Sequence, residues 1–248
     1  MEVEVMINTL EEFIKEYKKI VKMGWIESHR KGDTGVGKTL EDLLGIKENN
    51  INGPDFGEWE LKTHRSDSRS ALTLFTCSPK PRGIITKLVT KFGYENSEGE
   101  LILCESLFAD KFTNIKTTTH KLKITSLQEE IYIESENGIE RDVYWPVPLL
   151  KKKFENKYAK NKFIYVQADV DKTGSVEKFK FTSAYAVEGF TFEEFLNLVN
   201  KGKIFVDLRI DRYSKGKNKG KLHDHGTGFR INEINFPLLF SIEHAIVF

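Results

Sequence analysis

Pro54-Asp55-Phe56-Gly57-Glu58-Trp59-Glu60-Leu61-Lys62 is the stretch whose chemistry is most specific. Successive side chains on a strand point to opposite faces. The spacing therefore predicts a strand over Glu58 to Thr63, with Glu60 and Lys62 on one face and Trp59 and Leu61 directed to the core. Asp55, on the turn leading in, lies close enough to converge with them. Two carboxylates offer hard oxygen ligands for Mg²⁺ and leave positions for water and a phosphate oxygen. Such a metal lowers the pKa of its water and neutralises charge in an in-line displacement, while a lysine orients the attacking water and stabilises developing charge. Glu41, on a preceding helix, offers a further ligand or a supporting carboxylate. The same pattern also arises as a solvated strand face with a weak ion pair. The order helix, Pro-Asp loop, amphipathic strand, second strand favours phosphodiester hydrolysis by Asp55, Glu60 and Lys62.

Working outward, Thr9-Leu10-Glu11-Glu12 is a capping box. The apolar series Leu10, Phe13, Ile14, Tyr17, Ile20, Val21 predicts a helix that Gly24 ends. A short helix is expected over Thr39 to Leu44, then a loop from Lys47 to Pro54. Ala71 to Cys77 is β-rich, and Ile84 to Phe92 reads as a helix before Gly93. The middle, Glu100 to Trp145, is a series of short β-like runs. Pro148 to Tyr158 reads as a helix, Phe163 to Val170 and Phe179 to Val187 as strands. A second capping box at Thr191 opens a helix to about Asn200, and strands follow at Ile204 to Ile210 and Gly228 to Ile231. The expected fold class is mixed α/β: helices flanking a sheet, with a β-rich elaboration.

The chain has 248 residues and 28.6 kDa, enough for one large domain or two packed lobes. No apolar run approaches a membrane span, and the N-terminus lacks a signal-peptide pattern. Cys77 and Cys104 are too few for a disulfide framework. A reduced, cytoplasmic protein is expected.

The net charge of +1 hides a segregated distribution. Arg209, Arg212, Lys215, Lys217, Lys219 and Lys221 are opposed only by Asp211. This is either a solvated loop or a phosphate grip. His223-Asp224-His225-Gly226-Thr227-Gly228-Phe229-Arg230 follows it. The two histidines are too few for a zinc site on their own, with no clustered ligand evident beside them. Arg209 and Arg230 can each donate two hydrogen bonds to guanine, and Asp207 can accept from cytosine.

Gly32-Asp33-Thr34-Gly35-Val36-Gly37-Lys38-Thr39 fits the phosphate-binding loop of NTPases. That loop needs a buried strand running straight into the glycines, whereas Glu27-Ser28-His29-Arg30-Lys31 is polar and charged. A basic glycine-rich segment entering a helix can instead meet a DNA phosphate, with Lys38 contributing.

These blocks together resemble the MvaI/BcnI type of restriction endonuclease, relatives of the mismatch-repair nickase MutH. The resemblance runs through Arg30 to Leu44, Pro54-Asp55 with Glu60 to His64, Leu72 to Phe75 with Ser78-Pro79, and Val143-Tyr144-Trp145. It continues from Val206 to Ile210 and through Gly216, Lys217 and Lys219 to Lys221 to His223–Asn232, and is weakest over Tyr94 to Arg141. It implies a PD-(D/E)xK core in a catalytic lobe (about residues 1–95) and a recognition lobe (about 200–248). It further implies Mg²⁺ dependence with Mn²⁺ as a substitute, no ATP, and monomers acting on short, nearly palindromic duplex sites of the CCWGG or CCSGG kind. Asp55, Glu60 and Lys62 match the catalytic triad; Asp207, Arg209, His223, His225 and Arg230 match the recognition segment. A cognate DNA methyltransferase is the expected companion, with no obligate protein partner. The competing readings are a repair nickase, a P-loop NTPase using Gly32 to Thr39, and a DNA-binding module without catalysis.

Overall fold

The computed structural model describes residues 7–46, 54–66, 71–158, 162–240 and 242–246. In chain order the first elements are α1 (Leu10–Lys22), β1 (Ile26–Glu27), α2 (Gly35–Leu43), β2 (Glu60–Arg65), β3 (Leu72–Thr76), α3 (Ile84–Phe92), β4 (Tyr94–Glu95) and β5 (Leu101–Leu107). Next come β6 (Thr113–Asn114), β7 (Lys121–Leu127), β8 (Glu130–Ser135), β9 (Gly138–Pro146) and α4 (Val147–Lys157). The chain continues through β10 (Lys162–Asp171), β11 (Lys178–Glu188), α5 (Phe192–Asn200) and β12 (Ile204–Arg212). It ends with β13 (Leu222–Asp224), β14 (Gly228–Ile231), a 3₁₀ segment over Glu233–Leu239 and β15 (Ile242–Ile246). The mixed α/β class follows from the sequence pattern as expected. Among the described residues no helix is long and apolar enough to cross a membrane.

Two compact units form. The first gathers Met1–Ser70, Glu155–Thr191 and Pro237–Phe248; the second holds Ala71–Phe154 and Phe192–Phe236. The first is built on a sheet in the order β1-β11-β10-β2, with β15 also paired to β11. The pair β2–β10 is parallel, and Phe163 lies beside Glu60 and Tyr165 beside Lys62. Strand β10 is buried on both faces: Phe163, Ile164, Tyr165 and Val166 are all core residues, which is why its sequence is a continuous apolar run. On one face Ile164, Val166, Phe179, Phe181 and Leu61 pack with Phe13, Tyr17 and Ile20 of α1 and Val36 and Leu40 of α2. Phe13 stacks on Tyr17 at 5.3 Å and on Phe56 at 5.7 Å. Helix α1 is capped as its sequence predicts: the Thr9 hydroxyl accepts from Glu12 N, and the Glu12 carboxylate accepts from Thr9 N.

Two boundaries move. Strand β2 starts at Glu60, not Glu58, and continues to Arg65. Phe56 and Trp59 exchange two backbone hydrogen bonds (3.2 and 2.8 Å), which closes a tight turn and uses up the residues before the strand. Gly57 makes that turn feasible: its φ is +50°, and a Cβ there would sit 2.0 Å from the Asn8 carbonyl oxygen. Helix α2 starts at Gly35, four residues before the expected Thr39. The Thr39 hydroxyl donates to Gly35 O (2.8 Å) and accepts from His29 N (3.0 Å), which secures the extra turn despite its glycines. Of the expected loop from Lys47 to Pro54, residues 47–53 lie outside the described residues.

The second unit has an antiparallel sheet in the order β3-β14-β12-β5-β4, with β13 paired to β12, and a four-stranded sheet β6-β7-β8-β9. Its core is aromatic. Phe75 packs on Phe195 and Phe229, each at 5.2 Å, and Trp145 lies edge-on to Phe229. The fully buried Trp145 donates from Nε1 to Cys77 O at 2.7 Å. The basic stretch after Arg209 is not a structureless loop. Strand β12 runs on to Arg212 and returns through a hairpin to β13, with Asp211 opposite His223. The turn is closed by backbone bonds from Tyr213 N to Lys221 O and from Gly220 N to Tyr213 O.

Trp145→Phe keeps an aromatic ring but strands the buried Cys77 carbonyl without its indole donor. It should destabilise the protein by roughly 1–3 kcal/mol, read as a lower urea midpoint for the transition of the second unit. An unchanged midpoint would mean that another donor replaces the indole.

Candidate active site

The parallel pairing of β2 with β10 gives the carboxylate cluster its floor. Paired residues on neighbouring strands share a face, so Glu60 and Lys62 stand on the side of Phe163 and Tyr165. Tyr158, Phe163 and Phe190 pack there edge to face, with centroids 5.3–6.2 Å apart. Glu60 is only 1% exposed, so this is no solvated strand face.

Two ammonium groups balance the buried carboxylate. Glu60 Oε1 accepts from Lys62 Nζ at 2.6 Å and pairs with Lys157 Nζ at 2.7 Å. No sequence motif marks Lys157. It is the last residue of α4, and it arrives because β10 follows it closely and pairs in parallel with β2. Burial pulls its pKa down, but the Glu60 charge and hydrogen bond outweigh that and raise it overall.

Asp55 approaches from the turn, and its Oδ2 accepts from Leu61 N at 2.6 Å. Burial and the neighbouring Glu60 charge push its pKa up to about 6, against the pull of Lys62, the Leu61 hydrogen bond and Lys157. Asp55, Glu60 and Lys62 are thus brought together as the spacing suggests. Glu41 lies on α2, which packs against β2. A Cβ added at Gly37 would meet Thr63 Oγ1 at 3.3 Å and Glu41 Oε1 at 3.9 Å. The absence of a side chain at Gly37 leaves room for Thr63 of β2, and Glu41 stands on the same side of α2 as Gly37.

Glu60 Oε2 is buried and has no hydrogen-bond partner among the described residues. A buried carboxylate oxygen without a donor is costly. A hard divalent cation is a chemically suitable partner for that oxygen, and a second carboxylate stands beside it. The donor set fits Mg²⁺.

The residues of the nucleotide-loop pattern are otherwise engaged. Lys38 Nζ pairs with Asp42 at 2.8 Å, and Thr39 is buried in the hydrogen bonds already described. The strand that leads toward the glycines is the two-residue β1, an antiparallel partner of β11. That is not the buried parallel strand that a nucleotide loop requires.

In the second unit the expected base-reading residues cluster along β12 and its neighbours. Asp207 is buried and bonded to Ser106 Oγ at 2.9 Å and Arg230 Nη1 at 2.5 Å. Arg230 also donates to Ala71 O, so Arg230 and Asp207 hold each other in this state. Arg209 donates to Gly226 O at 2.8 Å. Lys215, Lys217, Lys219 and Lys221 are exposed on the hairpin.

The model of the MvaI/BcnI restriction endonuclease family matches residues 14–240. The chain belongs to this family, and is therefore a restriction endonuclease acting on DNA. The fold agrees with solved structures. A complex titled "Restriction endonuclease MvaI-cognate DNA substrate complex" is 33% identical with a TM-score of 0.85, covering 98% of this chain and all of that one. "Restriction endonuclease MvaI in the absence of DNA" is 32% identical with a TM-score of 0.58, covering 99% of this chain and all of that one. No significant match is found among curated proteins.

Because the folded pKa of Asp55 lies above its ordinary 3.8, the folded state holds that proton more tightly than the unfolded chain. The metal-free protein should therefore lose stability as pH rises from about 4 through about 6, by roughly 2–3 kcal/mol. Asp55→Asn removes the titration while keeping an acceptor for Leu61 N. In EDTA it should raise the Tm near pH 8 and leave it little changed near pH 4. A lower Tm for the variant at the higher pH would contradict the assigned burial of charge.

Proposed function

We propose that this chain is a type II restriction endonuclease that hydrolyses duplex DNA at a short G·C-rich, nearly palindromic site of the CCWGG or CCSGG kind. The observation that carries the proposal is the buried Glu60, with Oε1 held by two lysines and Oε2 without a donor, next to the raised Asp55. In this reading the first unit is the catalytic lobe and the second the recognition lobe. The cognate DNA complex of the similar endonuclease supports duplex DNA as the substrate.

Asp55 and Glu60 would hold Mg²⁺, with Glu41 as a further or supporting ligand and Mn²⁺ as a substitute. When bound, the metal supplies Lewis acidity and a water of lowered pKa. The side chains supply the rest. Lys62 Nζ orients the attacking water and meets charge building on the non-bridging oxygens. Lys157 acts as a positioning residue: it holds the Glu60 carboxylate in place through Oε1. The aromatic floor of Tyr158, Phe163 and Phe190 excludes water beneath the acids, which strengthens each charge interaction above it. No step calls for ATP. A monomer with one such site cuts the two strands in separate events, and a methyltransferase acting on the same sequence would protect the host.

Incubation of plasmid with Mg²⁺ and no ATP should give nicked circles before discrete linear fragments. Asp55→Ala, Glu60→Ala and Lys62→Ala should each lower cleavage by at least about 10²–10³-fold. Persistent nicking without fragments would instead favour a repair nickase, and near-normal cleavage by any of the three variants would sink the site.

Base reading and phosphate holding are separable. Arg209→Ala should cost about 1–3 kcal/mol on the cognate duplex and much less on random duplex. Removing Lys215, Lys217 or Lys219 should weaken both alike and flatten the salt dependence, and Lys38→Ala should behave similarly. Binding titrations in Ca²⁺ at several salt concentrations provide the comparison. Equal losses on both duplexes for Arg209→Ala would make it a phosphate clamp.

A further inference from the structure

The β12–β13 hairpin brings together three potential metal ligands that the sequence keeps apart. Asp211 on β12 lies directly opposite His223 on β13. Past the end of β13, His225 N still donates to Arg209 O at 3.0 Å, so the extended pairing continues for one more residue. Residues i and i+2 share a face, which puts both imidazoles on the side of the Asp211 carboxylate. His225 Nε2 is 2.8 Å and His223 Nδ1 3.9 Å from Asp211 Oδ1. One ligand atom from each residue lies within 4.8 Å of the others, in a group that includes no other histidine, cysteine or acid. Ligand atoms about a tetrahedral Zn²⁺ stand about 3.3 Å apart, given bond lengths near 2.0–2.1 Å. The observed separations bracket that value, so small side-chain rotations would close the set.

The surroundings hold the rings in place. Tyr213 stacks on His223 at 4.0 Å with an interplanar angle of 16°, and the two imidazoles lie 4.0 Å apart. Arg209, two residues before Asp211 on β12, donates instead to the carbonyl oxygens of His225 and Gly226. Cys104, half-exposed on β5, points its thiol at Ile210 O.

From this arrangement we infer that Asp211, His223 and His225 form a three-ligand site for a borderline divalent transition-metal ion such as Zn²⁺. Two imidazoles and one carboxylate suit Zn²⁺, Co²⁺ or Ni²⁺ rather than Mg²⁺, and three protein ligands leave at least one position open. The Asp211 that completes the set precedes His223 by 12 residues in the sequence and joins it only through the hairpin. One consequence rests on the proposed function: the ring nitrogens of His223 and His225 that hold a metal are no longer free to meet a base, and the rings are fixed in place. Zn²⁺ loading should therefore compete with cognate DNA recognition.

Co²⁺ added to the full-length chain in excess Mg²⁺ is the direct test, because Mg²⁺ occupies oxygen-only sites and Co²⁺ bound by imidazole in four- or five-coordinate geometry absorbs in the visible. Wild type should develop these bands and lose them on titration with Zn²⁺. His225→Gln and the near-isosteric Asp211→Asn should show neither, with circular dichroism unchanged. Absence of the bands in wild type, or their persistence in both folded variants, would overturn the site. In Ca²⁺, Zn²⁺ should raise the Kd for cognate duplex about ten-fold or more in wild type and leave Asp211→Asn unaffected. If Co²⁺ binds as expected but Zn²⁺ leaves cognate binding unchanged, the site stands and the base-reading role of the histidines falls.

Discussion

The first unit depends on how one buried negative charge is accommodated. A carboxylate placed 1% exposed on a sheet is tolerable only where cations and hydrogen-bond donors surround it. Glu60 obtains these from Lys62 on its own strand and Lys157 at the end of α4. That requirement constrains the architecture around it. Strand β10 must pair in parallel with β2, so that α4 ends above Glu60. The tight turn at Phe56–Trp59 must deliver Asp55 to the same place. Removing one lysine would leave a buried charge half-compensated, so the cluster behaves as a unit rather than as independent contacts.

Much of this was legible locally. Glu60 and Lys62 share a face because a strand has a period of two, and Asp55 precedes them by one turn. The capping box at Thr9, the helix over Ile84 to Phe92 and the strand over Gly228 to Ile231 are likewise written in short-range patterns. What escaped was long-range. Lys157 sits nearly a hundred residues from Glu60 and carries no motif; only the parallel register of β2 and β10 reveals it. Asp211 escaped for the opposite reason. In the sequence it is a lone opposing charge within a basic run, whereas the hairpin makes it the neighbour of two histidines.

The glycine-rich stretch that leads into α2 and forms its first turns shows how a motif can be right in its letters and wrong in its context. Gly37 serves close approach of the helix to Thr63, and Thr39 ties the first turn to His29. Arg65, at the end of β2, binds Gly32 O and makes a paired contact with Glu177, linking this stretch to the β10–β11 turn. These are packing tasks of a helix on a sheet. They account for the same residues without a nucleotide.

The first unit is assembled from three separated segments, and β15 at Ile242–Ile246 joins its sheet only by pairing with β11. During vectorial synthesis the ribosome releases Asp55 and Glu60 long before Lys157, β10 and β15. A nascent chain halted midway therefore carries the acids but neither the second lysine nor the strands that bury them. The buried surroundings of Glu60 therefore form only once Lys157 and β10 have been made.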